Sequence, residues 1–392
     1  MNHKERERLK VLNRVEQDEL TVALGAEVLG LSERQLYRML SRYHQQGDAG
    51  LLHRLRGRPS NHAHPADANK KAMRWYPEQY WDYGPTLFAE VLADEHGLTI
   101  APETLRRWLM AAGLWAGSRA KRPHRRHRDR RTAIGSLIQF DGSPHDWFEG
   151  RGPICTLLVA IDDASSQSYL RFVTSENTVE VLTTLRLYLE RYGIPRAFYT
   201  DRGSVFYGED KPTEYQRALA VLGVEPIFAH SPQAKGRVER NNRTHQDRLV
   251  KALRRHNLGD LQAANRFLEK TYMAQHNHAF AQTEGLPDLH RSVDGIDLNN
   301  ILCFETVRQV RNDYTITLEA QYIQLERGAN PLPPPKREVI VRQWLDGSLH
   351  LFWNDQELQY KRLQQKPPRP HPQPRPADDH PWRHRRVGKK SE

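Results

Sequence analysis

The sequence predicts a multidomain α/β protein, in which a mixed α/β domain follows two small helical units and precedes a small β-barrel. Three observations support this prediction. Helical patterns interrupted by a single glycine occur twice in the first third of the chain. Short β-rich runs alternate with amphipathic helices between residues 134 and 290, and strand-like alternation returns between residues 300 and 362.

The composition indicates a negatively charged partner. The chain has 392 residues, with 59 Lys and Arg against 48 Asp and Glu, and its formal net charge is +11. Nucleic acid is the commonest polyanion, although a merely basic protein stays an alternative on charge alone. Only two cysteines occur, which excludes a cysteine-rich zinc module and favours a reducing compartment. Because we find no secretion signal and no apolar run of roughly 18 residues, we expect a cytoplasmic, nucleoid-associated protein without membrane contact.

The first helical unit, placed at residues 1–57, has the pattern of a helix-turn-helix. Gly30 separates two helices, and Ser32 with Gln35 predicts a capping box at the start of the second. That helix has an apolar stripe on one side, formed by Leu36, Met39, Leu40 and Tyr43. Its other side carries the candidate DNA contacts Arg34, Gln35, Arg38 and Arg42. Such a face can enter the major groove, although an ordinary helical pair with a solvated face would show the same spacing.

A second unit, placed at residues 69–117, repeats the pattern. Gly97 ends its first helix and Pro102 can open the next one. There the apolar positions are Leu105, Trp108 and Leu109, and the outward positions are Glu103, Arg106 and Arg107. Two such units in tandem arise by chance far less readily than one. We therefore expect a long, bipartite DNA site that includes Arg106 and Arg107.

Basic segments adjoin both units. Arg56-Gly57-Arg58-Pro59, where the first unit meets the linker 58–68, resembles an AT-hook that places Arg56 and Arg58 in a minor groove, although a plain linker is an equal alternative. The linker 118–133 is a charge run that cannot pack, and we expect it to follow a phosphate backbone. Its candidate contacts are Lys121, Arg122, Arg125 and Arg126. The Pro-rich basic tail, residues 363–392, is predicted to be disordered.

The mixed α/β domain, placed at residues 134–290, is predicted to have the order β-β-β-α-β-α-β-α. Its first helix runs from Thr178 to Gly193, and its second from Glu214 to Leu222. Ser231 and Pro232 predict the start of the third, which is long and basic. The predicted small β-barrel at residues 300–362 follows this domain.

Three carboxylates point to the chemistry of this domain. Asp141 ends the predicted first strand and Asp201 the fourth. If those strands are parallel neighbours, both side chains emerge at the carboxyl edge of the sheet, where ligands of such sheets bind. Glu239, on the long helix, would then join them. Carboxylates that converge repel each other unless a cation lies among them, and oxygen ligands suit Mg²⁺, with phosphoryl transfer by two ions as the typical chemistry.

The residues around Glu239 allow two interpretations. Lys235, Arg237, Arg240 and Arg243 could hold a DNA backbone while Glu239 binds metal. Alternatively, Glu239 lies four residues from both Lys235 and Arg243, the spacing of ordinary surface ion pairs worth about 0.2–0.5 kcal/mol each. Gly236 favours the first interpretation, because glycine inside a helix costs about 1 kcal/mol and is tolerated where something approaches the backbone.

Other carboxylates compete for the same role. Asp146, Asp162 and Asp163 lie in the same domain, and we expect the "IDDAS" stretch to form the turn that leaves the second strand, with Asp162 near the site.

The region from Gly135 to Leu286 resembles the catalytic core of the DDE transposases and retroviral integrases, and most closely the ISNCY group of insertion-sequence transposases. The resemblance rests on "IQFDGSPHDWFEG", "LLVAIDDASSQSYLRFV", "YLERYGIPRAFYTDRGSVF" and "AHSPQAKGRVERNNRTHQDRLVKALR". Its most specific part is a Pro-Gln-x-x-Gly-x-x-Glu-x-x-Asn pattern, formed by Pro232, Gln233, Gly236, Glu239 and Asn242.

This resemblance implies an RNase H-like fold with Asp141, Asp201 and Glu239 as the catalytic, metal-binding triad, supported by Gln233, Gly236 and Asn242. It implies two Mg²⁺ ions, which Mn²⁺ can replace, and two reactions, namely cleavage of an element end and its transfer to target DNA. It also implies terminal repeats and target DNA as double-stranded partners, with a homodimer or larger oligomer on DNA. Arg202 departs from relatives that often have Asn or His there, and the zinc module of retroviral integrases is missing.

Two other functions compete with an active transposase. A domesticated, non-catalytic, sequence-specific DNA-binding regulator would keep the helix-turn-helix units, but it would have no reason to keep all three carboxylates. An RNase H-like nuclease for hybrids or junctions would not need two sequence-reading units before its core. We therefore expect a DNA transposase.

Overall fold

The computed structural model describes residues 3–53, 64–116, 129–229 and 236–365. The chain forms two compact units, residues 1–123 and 124–392. Several sequence predictions lie outside the described residues: Arg56, Arg58, Lys121, Arg122, Arg125, Arg126, the Ser231–Pro232 helix start, Gln233, Lys235 and nearly all of the tail. No helix in the described ranges is long and apolar enough to cross a membrane.

The first helical domain consists of α1 (His3–Glu16), α2 (Val22–Leu29), α3 (Glu33–Gln46) and a 3-10 helix, Gly47–Leu51. Gly30 adopts φ 62° after α2, a left-handed conformation that glycine accepts without a steric penalty. The predicted capping box is confirmed, because Ser32 Oγ accepts from Gln35 N at 3.3 Å and Gln35 Oε1 accepts from Ser32 N at 3.1 Å. Leu36, Met39 and Leu40 are buried, as predicted.

The second helical domain has three helices, α4 (Ala66–Gln79), α5 (Pro85–His96) and α6 (Pro102–Ala111). Its core is rich in aromatic side chains, with Tyr76, Tyr80 and Phe88 buried. The Tyr76 hydroxyl donates to the carbonyl of Tyr83 at 2.8 Å, so its polar end is satisfied inside the core. Leu105 and Leu109 of α6 are buried, as their spacing predicted.

The mixed α/β domain is built on a five-stranded sheet. Its elements are β1 (Ile138–His145), β2 (Cys155–Asp162), β3 (Ser168–Val173), α7 (Thr178–Tyr192), β4 (Ala197–Thr200), α8 (Glu214–Leu222), β5 (Glu225–Phe228), α9 (Gly236–Arg255), α10 (Leu261–Phe267), a π-helical turn (Leu268–Tyr272), α11 (Met273–Phe280) and α12 (Leu298–Ile301). The predicted order β-β-β-α-β-α-β-α is confirmed.

The strand order of this sheet is β3-β2-β1-β4-β5. β1, β2 and β3 pair antiparallel, whereas β1, β4 and β5 pair parallel. This arrangement is the RNase H-like fold that the resemblance implies. All eight residues of β2 are buried, because the apolar strand lies inside the sheet with both of its faces covered.

The C-terminal region contains two antiparallel sheets around one apolar core. The strands are β6 (Phe304–Gln309), β7 (Thr315–Leu318), β8 (Gln321–Leu325), β9 (Glu338–Gln343), β10 (Leu349–Trp353), β11 (Gln356–Leu358) and β12 (Tyr360–Leu363). One sheet has the order β11-β10-β9-β6 and the other β12-β8-β7. Ile316 and Ile323 from one sheet pack in the same core as Val341 and Leu351 from the other. The predicted small barrel is thus present as two short sheets that enclose one core.

Candidate active site

Asp141 and Asp201 lie on neighbouring parallel strands. In the ladder of β1 and β4, Ile138 is opposite Phe198 and Gln139 is opposite Tyr199. Continuing this register places Asp141 beside Asp201, directly after β4. Both residues are partly exposed at the carboxyl edge of the sheet. The sequence analysis required these two strands to be parallel neighbours if Asp141 and Asp201 were to lie close together, and the structure meets this condition.

The Asp201 carboxylate is held by a tight turn. Its Oδ1 accepts a hydrogen bond from the backbone N–H of Gly203 at 2.8 Å. A Cβ atom on residue 203 would lie 2.9 Å from that oxygen, closer than real Cβ contacts allow. Glycine at this position therefore lets the backbone approach the carboxylate.

α9 lies along β1 and is joined to it by three polar contacts. Val238 N donates to Gln139 Oε1 at 3.3 Å, Asn242 Nδ2 to Asp141 Oδ2 at 3.2 Å and Gln246 Nε2 to Ser143 Oγ at 3.3 Å. Four helical residues rise about 6 Å, and two strand residues about 6.6 Å, so successive turns of the helix meet successive residues on one strand face. We call these three contacts the polar seam.

The polar seam brings the helix of Glu239 to the strand of Asp141. Glu239 lies in the first turn of α9, three residues before Asn242 and so on the same side of the helix. A carboxylate there is also favoured by the partial positive charge of the helix N-terminus. Among the described residues Glu239 forms no ion pair, so the alternative pairing with Arg243 is not seen. Lys235, the other alternative partner, lies outside the described residues. Among the described residues, no group lies within 4 Å of a Cβ added to Gly236.

The donor chemistry of this edge suits a divalent cation. Carboxylate oxygens are the ligands that Mg²⁺ prefers, and the buried Asn242 Oδ1, beside Asp141, has no hydrogen-bond partner among the residues that the structure describes. In the side-chain positions described, however, no three His, Cys, Asp or Glu residues converge into a cluster that could hold an ion. The fold thus brings β1, β4 and α9 together. To hold a metal ion, the three carboxylate side chains would have to turn towards a common point.

Glu176 is an acidic residue near this edge that the sequence analysis did not consider. One of its carboxylate oxygens occupies the position that a Cβ on Gly142 would take, directly beside Asp141 in the chain. Glycine at position 142 is therefore needed for Glu176 to lie there. A hint existed in the sequence, since Gly142 follows Asp141 in the middle of a strand, where glycine often marks a close approach.

The basic residues of α9 do not all face outward. Arg240 and Arg243 are exposed, as expected for contacts with a DNA backbone. Arg237 differs from the expectation: its Nε lies 3.1 Å from Oδ1 of Asp163, and its side chain is only 19% exposed. Asp163 is buried and attracts the guanidinium into the protein. The guanidinium of Arg202, the departure from the family pattern, lies 5.2 Å from the centre of the Tyr207 ring.

The rival carboxylates have structural partners. Asp162 accepts from Gly135 N at 2.8 Å and from Ser165 N at 2.7 Å, so it shapes the turn after β2. The expectation of a turn at "IDDAS" is confirmed, but these contacts do not place Asp162 beside the triad. Asp146 accepts from Gly150 N at 3.2 Å in the loop after β1.

The inner face of α9 holds a buried polar cluster that the sequence analysis also missed. His245 is fully buried and contacts Asn241 Nδ2 at 3.0 Å and the Tyr272 hydroxyl at 3.1 Å. Burial, together with the nearby His276, lowers the pKa of His245 well below its ordinary value. Its imidazole is therefore neutral at pH 7 and anchors the helix instead of meeting DNA.

The candidate DNA contacts of the helical domains are arranged differently in the two. On α3, Arg34, Gln35 and Arg38 are exposed and Arg42 is partly buried. Two of these predicted DNA contacts form hydrogen bonds within the protein. Gln35 Oε1 accepts from Ser32 N in the capping box, and Arg42 Nε donates to the Arg38 carbonyl at 3.1 Å.

On α6, one acid binds both predicted contacts. Arg106 Nη2 and Arg107 Nε lie 2.6 and 3.2 Å from Glu103 Oε1. The hydrogen bond from Arg106 is the main cause that lowers the pKa of Glu103 to about 2. The guanidinium groups of Arg106 and Arg107 form an ion cluster with Glu103, and both side chains remain accessible to solvent.

Comparison with known proteins agrees with this architecture. Residues 7–60 match the family model of a helix-turn-helix domain. The chain is 41% identical over 372 residues to y4bF of Sinorhizobium fredii, named as a candidate transposase, with 92% of this chain and 81% of the relative covered. It is 28% identical over 432 residues to the transposase for insertion sequence IS1202 of Streptococcus pneumoniae, with 95% and 92% covered.

Solved structures of retroviral integrases show a weaker likeness. The HTLV-2 integrase catalytic core domain in complex with magnesium is 19% identical, covers 34% of this chain and 82% of its own, and has a TM-score of 0.29. The simian T-cell lymphotropic virus intasome in complex with PP2A regulatory subunit B56 gamma is 15% identical, covers 74% and 98%, and has a TM-score of 0.33. The fold assignment rests on the strand order of the sheet and not on these likenesses.

Proposed function

Because the chain belongs to the transposase family of these two relatives, we propose that it binds the ends of an insertion sequence and catalyses their metal-dependent cleavage and transfer to target DNA. The observation that supports this most is that Asp141 on β1 and Asp201, directly after β4, lie at one sheet edge, with Glu239 in the first turn of α9, which contacts β1. Asn242, which donates to Asp141 from the helix of Glu239, links two of these elements directly.

The three carboxylates would hold Mg²⁺, with Mn²⁺ as a substitute. When bound, the metal would polarise the scissile phosphodiester and stabilise the attacking and leaving oxygens. Asn242 orients the Asp141 carboxylate, and the turn at Gly203 holds that of Asp201 until DNA arrives. The exposed Arg240 and Arg243 on α9 would contact the phosphate backbone beside the scissile bond.

Two displacements at phosphorus complete the reaction. In the first, a water oxygen forms a bond to phosphorus while the bond to the 3′ oxygen breaks, which leaves a free 3′ hydroxyl on the element. In the second, that hydroxyl bonds to a target phosphorus and releases the target's own 3′ oxygen as a hydroxyl. Since two ends join one target, we expect a dimer or larger assembly, with the helix-turn-helix domains binding the terminal repeats.

A strand-transfer assay tests this function. DNA from the ends of the element, labelled and with a free 3′ hydroxyl, is mixed with supercoiled plasmid, protein and Mg²⁺. Wild type should give joined product, and both Asp201→Asn and Glu239→Gln should reduce it to background without loss of end binding. Asp355→Asn is the matched control, since Asp355 is an exposed carboxylate in the turn between β10 and β11 of the C-terminal region and should transfer normally.

Each other outcome has a definite meaning. End binding by wild type without joining in Mg²⁺ or Mn²⁺ would contradict the enzyme and indicate the non-catalytic regulator. Loss of end binding in Glu239→Gln would show that Glu239 has a structural role.

A further inference from the structure

Asp163 is a completely buried carboxylate that no step of the proposed reaction uses. It directly follows β2 and has no exposed surface. A buried charge is retained only with close partners, since removal from water is otherwise costly. The identity of those partners indicates what Asp163 does.

Among the described residues, the Asp163 carboxylate contacts three separate segments. Its Oδ1 lies 3.1 Å from Arg237 Nε on α9 and accepts from Gln139 Nε2 on β1 at 2.8 Å. Its Oδ2 accepts from the backbone N–H of Arg131 at 3.1 Å, in the described end of the basic linker. Arg130 docks nearby, because its Nη1 donates to the carbonyl of Ala164 at 3.2 Å.

Gln139 extends this network to the start of α9. While its Nε2 donates to Asp163, its Oε1 accepts from Val238 N. The first N–H groups of a helix have no partner within the helix, so this contact satisfies one of them and fixes the position of the first turn. Gln139 lies two residues before Asp141, and Val238 one residue before Glu239.

We propose that Asp163 is a positioning residue that sets the place of Glu239 relative to Asp141 and couples it to the linker from the DNA-binding domains. The inference rests on the proposed function, whose carboxylates it positions. Through Gln139 and Arg237, one buried charge holds both the strand of Asp141 and the first turn of α9. Through Arg131, the same charge holds the segment by which the DNA-binding domains are attached.

The test compares Asp163→Asn with Asp162→Asn in the full-length protein. The two carboxylates are adjacent and buried, but the contacts of Asp162 lie within the turn and at Gly135, so its variant controls for general destabilisation. Amide hydrogen exchange is measured on both. In Asp163→Asn, exchange should rise about tenfold in residues 129–133 and 236–242 together, while Asp162→Asn leaves 236–242 unchanged.

Strand transfer in Mg²⁺ and in Mn²⁺ gives the functional readout. Mg²⁺ demands near-ideal octahedral geometry, so a displaced carboxylate should impair it more. We expect Asp163→Asn to lose about tenfold or more of the Mg²⁺-supported rate, as is typical for residues that orient metal ligands, with a smaller loss in Mn²⁺ and unchanged end binding. If Asp163→Asn does not fold, Arg237→Lys keeps the charge, loses the planar guanidinium and should show the same selectivity more weakly.

Equal losses in both metals, or exchange that rises no more than in Asp162→Asn, would overturn the proposal and leave Asp163 a purely structural residue. If wild type joins no DNA with either metal, the proposed function fails instead. The exchange measurement needs no activity and would still decide whether Asp163 positions α9.

Discussion

The helices α3 and α6 present their arginines in contrasting ways, although their sequence patterns are similar. On α3, Arg34 and Arg38 are exposed, and no acidic side chain pairs with either in the described part of the chain. On α6, Glu103 binds both Arg106 and Arg107. The first helix thus offers unneutralised charge to DNA, whereas the second offers a fixed ion cluster. Equal charge patterns in a sequence therefore do not imply equal DNA-binding surfaces.

The two helices also begin differently. α3 starts with the reciprocal capping box of Ser32 and Gln35. α6 starts at Pro102, after Ala101, with no side-chain cap. The first turn of α3, which carries Arg34, is therefore held by side-chain hydrogen bonds, whereas the first turn of α6 depends on the fixed φ of proline.

The largest expected effect is on sequence-specific binding by α3. Replacing both Arg34 and Arg38 with Ala should weaken binding to the element end far more than to random DNA, because each good base contact is worth about 1–3 kcal/mol. Fluorescence anisotropy with both DNAs at one salt concentration measures this difference. The double variant Arg6→Ala, Lys10→Ala on α1 removes the same charge and should affect both DNAs alike. An equal loss for the α3 variant would reduce that helix to a backbone contact.

A smaller effect is expected at the helix starts. Ser32→Ala should destabilise α3 by about 1 kcal/mol, the usual value of an N-cap, which is seen as faster amide exchange at its first turn. Ser41→Ala, an exposed interior position of the same helix, is the control and should cause no loss. Ala101→Ser should slow exchange in α6. No change in Ser32→Ala would mean that packing alone fixes the start of α3.

The smallest effect concerns the ion cluster on α6. Glu103→Gln should release Arg106 and Arg107 and raise the affinity for random DNA a few-fold. The slope of log affinity against log salt concentration should become steeper by about 0.9 for each additional phosphate that the arginines neutralise. Glu33→Gln on α3 removes one acid of the same kind without releasing an arginine and should change the slope less. Identical slopes in the two variants would show that the α6 arginines already contact phosphates.

The cluster also makes a prediction about pH. The pKa of Glu103 in the folded protein is lowered to about 2, so the carboxylate keeps its charge and its pairing above that pH and loses them only as the pH falls through it. The affinity of Glu103→Gln for random DNA relative to wild type should therefore be the same at pH 5 and pH 7, because wild-type Glu103 stays charged at both. Binding titrations of both proteins at the two pH values measure this, and a ratio that changes between them would contradict the pairing.

Local signals in the sequence predicted most of the fold. The helix predicted near Glu214 to Leu222 has these bounds in the structure, where Thr213 and Gln216 form a capping box and Gly223 ends the helix in a left-handed conformation. The positions of Asp141 and Asp201 followed from the ends of β-rich runs. Such signals come from neighbouring residues, so they persist in the folded protein. The helices α1 and α4 were not predicted: α1 consists largely of charged residues, and α4 contains Pro77, a residue that disfavours a helix interior.

Contacts between distant segments could not be predicted in this way. Arg237 and Asp163 are far apart in sequence, and the basic pattern of α9 favoured an outward guanidinium. Its direction is decided by the buried carboxylate directly after β2, together with the contacts that hold α9 against β1. Similarly, Glu176 approaches Gly142 across the sheet. One amphipathic pattern reports which face of a helix is buried, but not which charge lies beneath it.

The polar seam fixes the register of α9 along β1. Its three contacts repeat in step, so a shift of α9 by one residue would break Val238–Gln139, Asn242–Asp141 and Gln246–Ser143 at the same time. The separation of Asp141 and Glu239 can then take only a few discrete values, with one strongly preferred. A smooth apolar interface would allow the helix to slide by fractions of an ångström, whereas the polar seam favours a single register of α9 on β1.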